Sequence, residues 1–80
     1  MSPKAQHAVA YRKLPTFLRR LREKAGLTQR QLGAKLGKPQ SWIHSSEVAN
    51  RRVDMIEFAA WARACKVDPL TAFKLLLEEE

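Results

Sequence analysis

Between Gly26 and His44 the chain carries Thr28, Gln29, Arg30 and Gln31, then Lys38, Gln40, Ser41 and His44, in two helix-sized segments either side of Gly37. At about 100° per residue, Gln40, Ser41, His44, Ser45 and Val48 share one helical face, while Trp42, Ile43 and Ser46 turn the other way. Amide, hydroxyl and imidazole groups exchange hydrogen bonds with base edges, and cations beside them suit phosphates. The spacing describes a rigid helix presented to a groove of duplex DNA.

Catalytic and metal chemistry fail on inventory. His7 and His44 are far apart and lack the Cys, His or carboxylate spacing of a zinc site. No glycine-rich phosphate loop follows a strand, because no strand is expected. Cys65 falls on an apolar helical stripe and reads as a buried structural thiol, not a nucleophile. No enzyme activity, metal or cofactor is expected.

The elements that must position these groups follow from local signals. Leu14, Phe17, Leu18, Leu21 and Ala25 recur at spacings of three and four, with Pro15 suited to a first turn and Gly26 to a left-handed stop. Helix 1 is therefore expected over 15–25, after an N-terminal arm, 1–13, with no firm apolar period. Thr28 and Gln31 form a capping box, each satisfying a backbone amide left open at a helix start, so helix 2 runs over 29–36. Its interior Gly33 costs about 1 kcal/mol relative to alanine, which implies a close neighbour, most simply the next helix. Gly37 turns the chain and Pro39 opens helix 3, expected over 39–48. Asn50, Arg51 and Arg52 make a polar, cationic break. Asp54 with Glu57 is a second capping box, opening helix 4 over 55–65 with Met55, Phe58, Ala59, Ala62 and Cys65 as its stripe. Asp68 and Pro69 repeat the signal for helix 5 over 69–77, with Leu70, Phe73 and Leu77 apolar, before an acidic tail, 78–80. The fold class is all-α, a compact bundle of five helices.

Eighty residues make one domain, near the size at which burial barely exceeds conformational entropy. The formal charge is +7, unevenly spread: residues 4–38 hold ten Lys and Arg against the single anion Glu23, and from Asp54 onward acids outnumber bases. One half seeks anions and the other does not. A single cysteine excludes an internal disulfide and fits a reducing compartment. With no apolar run near the ~20 residues of a membrane span and no signal-peptide core at the N-terminus, a cytoplasmic protein is expected.

Leu21-Arg22-Glu23-Lys24-Ala25-Gly26-Leu27-Thr28-Gln29, Leu32, Leu36-Gly37, Pro39-Gln40-Ser41, Ile43, Glu47 and Arg51-Arg52-Val53-Asp54 together resemble the helix-turn-helix domain of the phage repressor and Cro family, often called XRE-like. The resemblance covers about 14–73 and spans four helices. It implies a lambda-repressor-like DNA-binding domain in which helix 2 crosses the DNA backbone and helix 3 enters the major groove. It makes Gln40 a base reader, since an amide pairs bidentately with adenine, with Ser41 and Ser45 at neighbouring reading positions and His44 on the same face. It assigns Gln29 to a phosphate and to bracing Gln40, joined at the helix start by Thr28 and Arg30. It lays Asn50, Arg51 and Arg52 along the sugar-phosphate chain. Lys38 and Trp42 are further backbone neighbours, although Trp42 equally suits the core. Arg22 and Glu47 match a buried ion pair joining helix 1 to helix 3.

The same resemblance implies a two-fold dimer on a palindromic operator, paired through the region of Phe73, Leu75, Leu76 and Leu77, and a repressor's role. Four departures bear on geometry: Ala49 and Lys66 stand where glycine is usual, Ser45-Ser46 where a cation or amide precedes an apolar residue, and Gly33 where alanine is usual. Two other readings keep the fold. One is an antitoxin or accessory regulator that binds another protein through the C-terminal helices; the other is a scaffold that has lost base recognition, for which Ser45 and Ser46 argue.

Overall fold

The computed structural model describes the backbone of residues 3–79 and the side chains of residues 12–79. Its helices are α1 (Pro3–Lys24), α2 (Gln29–Leu36), α3 (Gln40–Glu47), α4 (Met55–Ala64) and α5 (Pro69–Glu78), and no strand occurs among the described residues. None of the helices is long and apolar enough to cross a membrane.

The helix starts follow the side-chain caps. Thr28 accepts from the Gln31 amide while Gln31 accepts from the Thr28 amide, and Asp54 with Glu57 does the same. Asp68 accepts from the Thr71 amide, with Pro69 in the first turn of α5. Each bond satisfies a donor that the first helical turn leaves open.

The helix ends share one device. A residue in the left-handed region follows α1, α2, α3 and α4: Gly26 at φ 73°, Gly37 at φ 67°, Ala49 at φ 66° and Lys66 at φ 62°. After each, the next amide donates back to a carbonyl five residues earlier: Leu27 to Arg22, Lys38 to Gly33, Asn50 to Ser45 and Val67 to Ala62, at 2.8–3.1 Å. These are the longer bonds of Schellman-type stops. Ala49 and Lys66, the two departures from glycine, adopt the glycine conformation all the same.

Three expectations change. Helix α1 begins at Pro3 instead of Pro15, so Pro15 lies inside it. Proline lacks the amide that a helix interior uses, but the alanines at 5, 8 and 10 favour helix on its N-terminal side. The side chains of 1–11, and with them most of the expected arm, lie outside the described residues. The close approach to Gly33 comes first from the turn: a β-carbon there would stand 2.5 Å from the Lys38 carbonyl oxygen, and 3.6 Å from Ile43 of α3. Pro39 and Val48 cap α3 from outside, trimming it by one residue at each end, and Cys65 caps α4, trimming it by one.

Leu18, Leu32, Ile43 and Trp61 are fully buried at the centre of the core, with Phe17, Leu21, Phe58, Ala62 and Cys65 around them. The stripe on α4 is Phe58, Trp61, Ala62 and Cys65, so Trp61 belongs to it and Met55, 82% exposed, does not. The indole nitrogen of Trp61 donates to the Leu18 carbonyl at 3.1 Å. Burial pushes the Cys65 thiol up to about 11, with the positive charge of Arg22 opposing.

Helix α5 is turned away from its expected orientation. Ala72 is buried and Leu76 packs against the core, whereas Leu70 and Leu77 face solvent at 81% and 66% exposure and Phe73, 51% exposed, lays one edge against Phe58. Small Ala72 lets the helix lie close, and Leu70 and Leu77 point outward. The tail is tied back: Glu79 pairs with Arg20 of α1 at 2.5 Å, and its carbonyl accepts from Lys13.

Candidate nucleic-acid interface

The polar face of α3 is open. Gln40, Ser41 and His44 are exposed and Ser45 is half-buried, while Ile43, Ser46 and Glu47 are buried on the opposite side. The expected division of this helix into an outer and an inner face is the observed one. Among the described residues, no other helix covers the side chains of Gln40, Ser41 and His44.

A hydrogen-bonded relay runs from the interior to that face. Arg22 of α1 forms a two-pronged ion pair with Glu47 of α3, Nε to Oε2 at 2.6 Å and Nη2 to Oε1 at 3.0 Å. Its Nη1 donates to the Leu27 carbonyl at 2.8 Å, so the guanidinium also holds the turn before α2. The hydrogen bond to Glu47 pushes the Arg22 guanidinium above its ordinary range. Glu47 Oε1 accepts from Gln29 Nε2 at 3.1 Å, and Gln29 Oε1 accepts from Gln40 Nε2 at 3.3 Å. Gln29 Nε2 also lies 3.4 Å from His44 Nδ1. A carboxylate only accepts, so Glu47 fixes which end of the Gln29 amide faces inward. Gln29 thereby sets the orientation of both Gln40 and His44.

The loop after α3 carries a second cluster that sequence spacing did not reveal. Arg51 Nη2 pairs with Glu57 of α4 at 2.9 Å, and its Nη1 donates to Ser46 Oγ at 3.1 Å. Ser46 in turn donates to the Trp42 carbonyl at 2.8 Å. The Arg51 guanidinium carbon lies 4.0 Å from the centroid of the Trp42 ring, and Lys38 Nζ lies 5.3 Å from it. Trp42, half-buried, packs on Trp61 with ring centroids 6.3 Å apart. Arg51 is thus engaged inward, where the resemblance had laid it along DNA. Ser46, in place of an apolar residue, supplies the hydroxyl that this arginine needs.

Thr28 and Arg30 at the start of α2, Lys38 in the turn, and Asn50 and Arg52 after α3 are all exposed. They rim the open face with amide, hydroxyl and cationic groups, the chemistry that grips sugar-phosphate chains on either side of a groove.

The remaining expected surface is apolar. Phe73, Leu77 and, at 46%, Leu75 are exposed, but Leu76 is packed inward and drops out of it. Met55, 82% exposed, lines one groove with Phe73, whereas Leu75 lies on the opposite flank of α5 and lines a separate groove with Phe17, Arg20 and Lys24 of α1; Ile56 and Leu70, 78% and 81% exposed, stand elsewhere on α4 and α5.

Residues 14–72 match a family of helix-turn-helix domains. Among solved structures, an XRE-family like protein from Pseudomonas syringae pv. tomato str. DC3000 is similar, at 39% identity and a TM-score of 0.85, with 92% of this chain and 90% of that chain covered. No curated protein matches.

Proposed function

The chain belongs to the XRE family of helix-turn-helix proteins, DNA-binding regulators in general, and from that premise we propose that it represses transcription by binding a palindromic operator as a homodimer. In this reading α3 lies in the major groove, Gln40 reads adenine, and Ser41 and Ser45 meet neighbouring groups. Thr28, Gln29, Arg30, Lys38, Asn50 and Arg52 contact the backbone. The observation that carries the reading is the exposed Gln40, held by Gln29 and through it by the buried Arg22–Glu47 pair. A glutamine held by one N–H keeps its oxygen and its second N–H for the two groups adenine presents.

Pairing is assigned to the exposed side chains of Phe73, Leu77 and Leu70 on one flank of α5 with Met55 beside Phe73, an apolar surface of the kind that marks a partner; Leu75, on the opposite flank, is left out of it. The same surface favours one alternative, an accessory regulator that binds a different protein there. Sedimentation of the purified chain separates the two, because a monomer at all accessible concentrations leaves that surface to another protein.

Selection of duplexes from a random pool at ~0.15 M salt, where much nonspecific attraction is screened, tests the reading. It should return two inverted half-sites about 34 Å apart. Gln40→Ala should relax preference at one base position per half, and Arg52→Ala should weaken binding to all sequences alike. Equal affinity for random and selected duplexes sinks sequence-specific regulation.

A further inference from the structure

We infer that His44 is a specificity-determining residue whose Nε2–H donates to the guanine edge, N7 and O6, of a base pair beside the one that Gln40 reads; the inference rests on the reading that α3 enters the major groove.

Glu47 Oε1, 3.1 Å from the Gln29 amide, only accepts, so the atom of Gln29 nearest to it is the NH2 group. Gln40 Nε2 at 3.3 Å from Gln29 Oε1 requires the same orientation. The NH2 group has one proton directed to Glu47 and one left for His44 Nδ1 at 3.4 Å. An amide nitrogen cannot accept, so Nδ1 must, and a neutral imidazole that accepts at Nδ1 carries its proton on Nε2. His44 is exposed, one helical turn after Gln40 on the same face. The relay therefore presents a donor to whatever lies against that face.

A single donor at this place discriminates among bases. Guanine offers two adjacent acceptors in the major groove. Adenine sets an amino donor beside its N7, and thymine sets a methyl beside its O4. An N–H directed at that edge is best satisfied by guanine and meets a second donor at adenine.

Three arms test this with the intact chain and the duplex selected from a random pool. His44→Ala should lose preference for guanine at one position per half-site, with discrimination falling about 3- to 10-fold, the worth of one hydrogen bond in a recognition site. Replacing that guanine by 7-deazaguanine should weaken the wild type by a similar factor and leave His44→Ala unaffected. The imidazole nitrogen-15 spectrum of the free protein at neutral pH should show the proton on Nε2. A loss that is uniform across sequences and lowers the salt slope by about one unit, the mark of a phosphate contact, overturns the assignment. So does a proton on Nδ1, or an unchanged preference in His44→Ala. A wild type with no base preference overturns this inference and the groove-binding reading together; a preference that survives His44→Ala overturns this inference alone.

Discussion

Arg51 lies over the ring of Trp42, its guanidinium carbon 4.0 Å from the ring centroid, and spans from there to Glu57 of α4. One side chain thereby joins the loop after α3 to both helices it connects. A cation on a partly buried indole contributes about 0.5 to 2 kcal/mol, and a quarter-exposed ion pair adds at most about 1 kcal/mol.

Arg51→Ala should therefore lower stability by about 1 to 2 kcal/mol, read as a fall of roughly 5 to 15 °C in Tm. The salt slope of DNA binding should stay close to that of the wild type, whereas Arg52→Ala should reduce it by about 0.9. Equal reductions by both variants would return Arg51 to the phosphate contacts.

The Arg22–Glu47 pair holds α1 to α3 and, in the proposed reading, orients the side chains that meet DNA, and the two roles can be separated. Glu47→Ala leaves a guanidinium buried without its carboxylate and should cost about 3 to 5 kcal/mol in chemical denaturation. Replacing both residues with apolar ones of similar size should restore much of that stability. It should not restore base discrimination, since the Gln29 amide loses the acceptor that fixes its orientation. Recovery of both properties in the double variant would refute the relay.

Ala49 and Lys66 hold φ of 66° and 62° without being glycine. Left-handed backbone costs a side-chain-bearing residue about 1 to 2 kcal/mol, and glycine gives back part of that gain in chain entropy. Ala49→Gly and Lys66→Gly should each raise stability by about 0.5 to 1 kcal/mol, checked by thermal melts near neutral pH. A decrease at either position would argue that its turn is not left-handed in solution.

Cys65 gives an alkaline signature. Its folded thiol titrates at about 11 against 9.0 for the ordinary group, because burial disfavours the thiolate. Below the unfolded value both states hold the proton and the contribution is intact. Between the two values the unfolded chain releases its proton while the folded chain retains it, so stability falls as pH rises, by up to about 2 to 3 kcal/mol in all. Cys65→Ala should lose less stability than the wild type between about pH 8 and pH 11 in urea titrations. Identical losses would place the thiol in contact with water.

What the sequence made legible was local. Thr28, Asp54 and Asp68 open helices because the cap and its partner are three residues apart, and Gly26 and Gly37 close them by their own conformational freedom. The outer face of α3 was legible for the same reason: helical period alone brings Gln40, Ser41 and His44 together. Where several readings satisfy one period, tertiary packing decides. Leu70, Phe73 and Leu77 form as good a stripe as Ala72 and Leu76, yet only the small residue allows α5 to approach the core. Pro15 suits a first turn far better than an interior position, so local preference pointed to the wrong start, which the structure places at Pro3. Arg51 was assigned with its loop by the family resemblance, but its partners Trp42 and Glu57 lie on two different helices, which no local spacing brings together.

Helix α3 has eight residues. A segment of that length, severed from its surroundings, would spend most of its time as coil in water, since helices below about 12 residues are marginal alone. Its shape is borrowed from Ile43 in the core and from the bonds made by Glu47, so melting the interior abolishes its outer face at the same temperature. Any molecule that grips that surface must, by mass action, raise the melting point of the entire chain, and a simple thermal-shift screen of duplexes would report occupancy without a label.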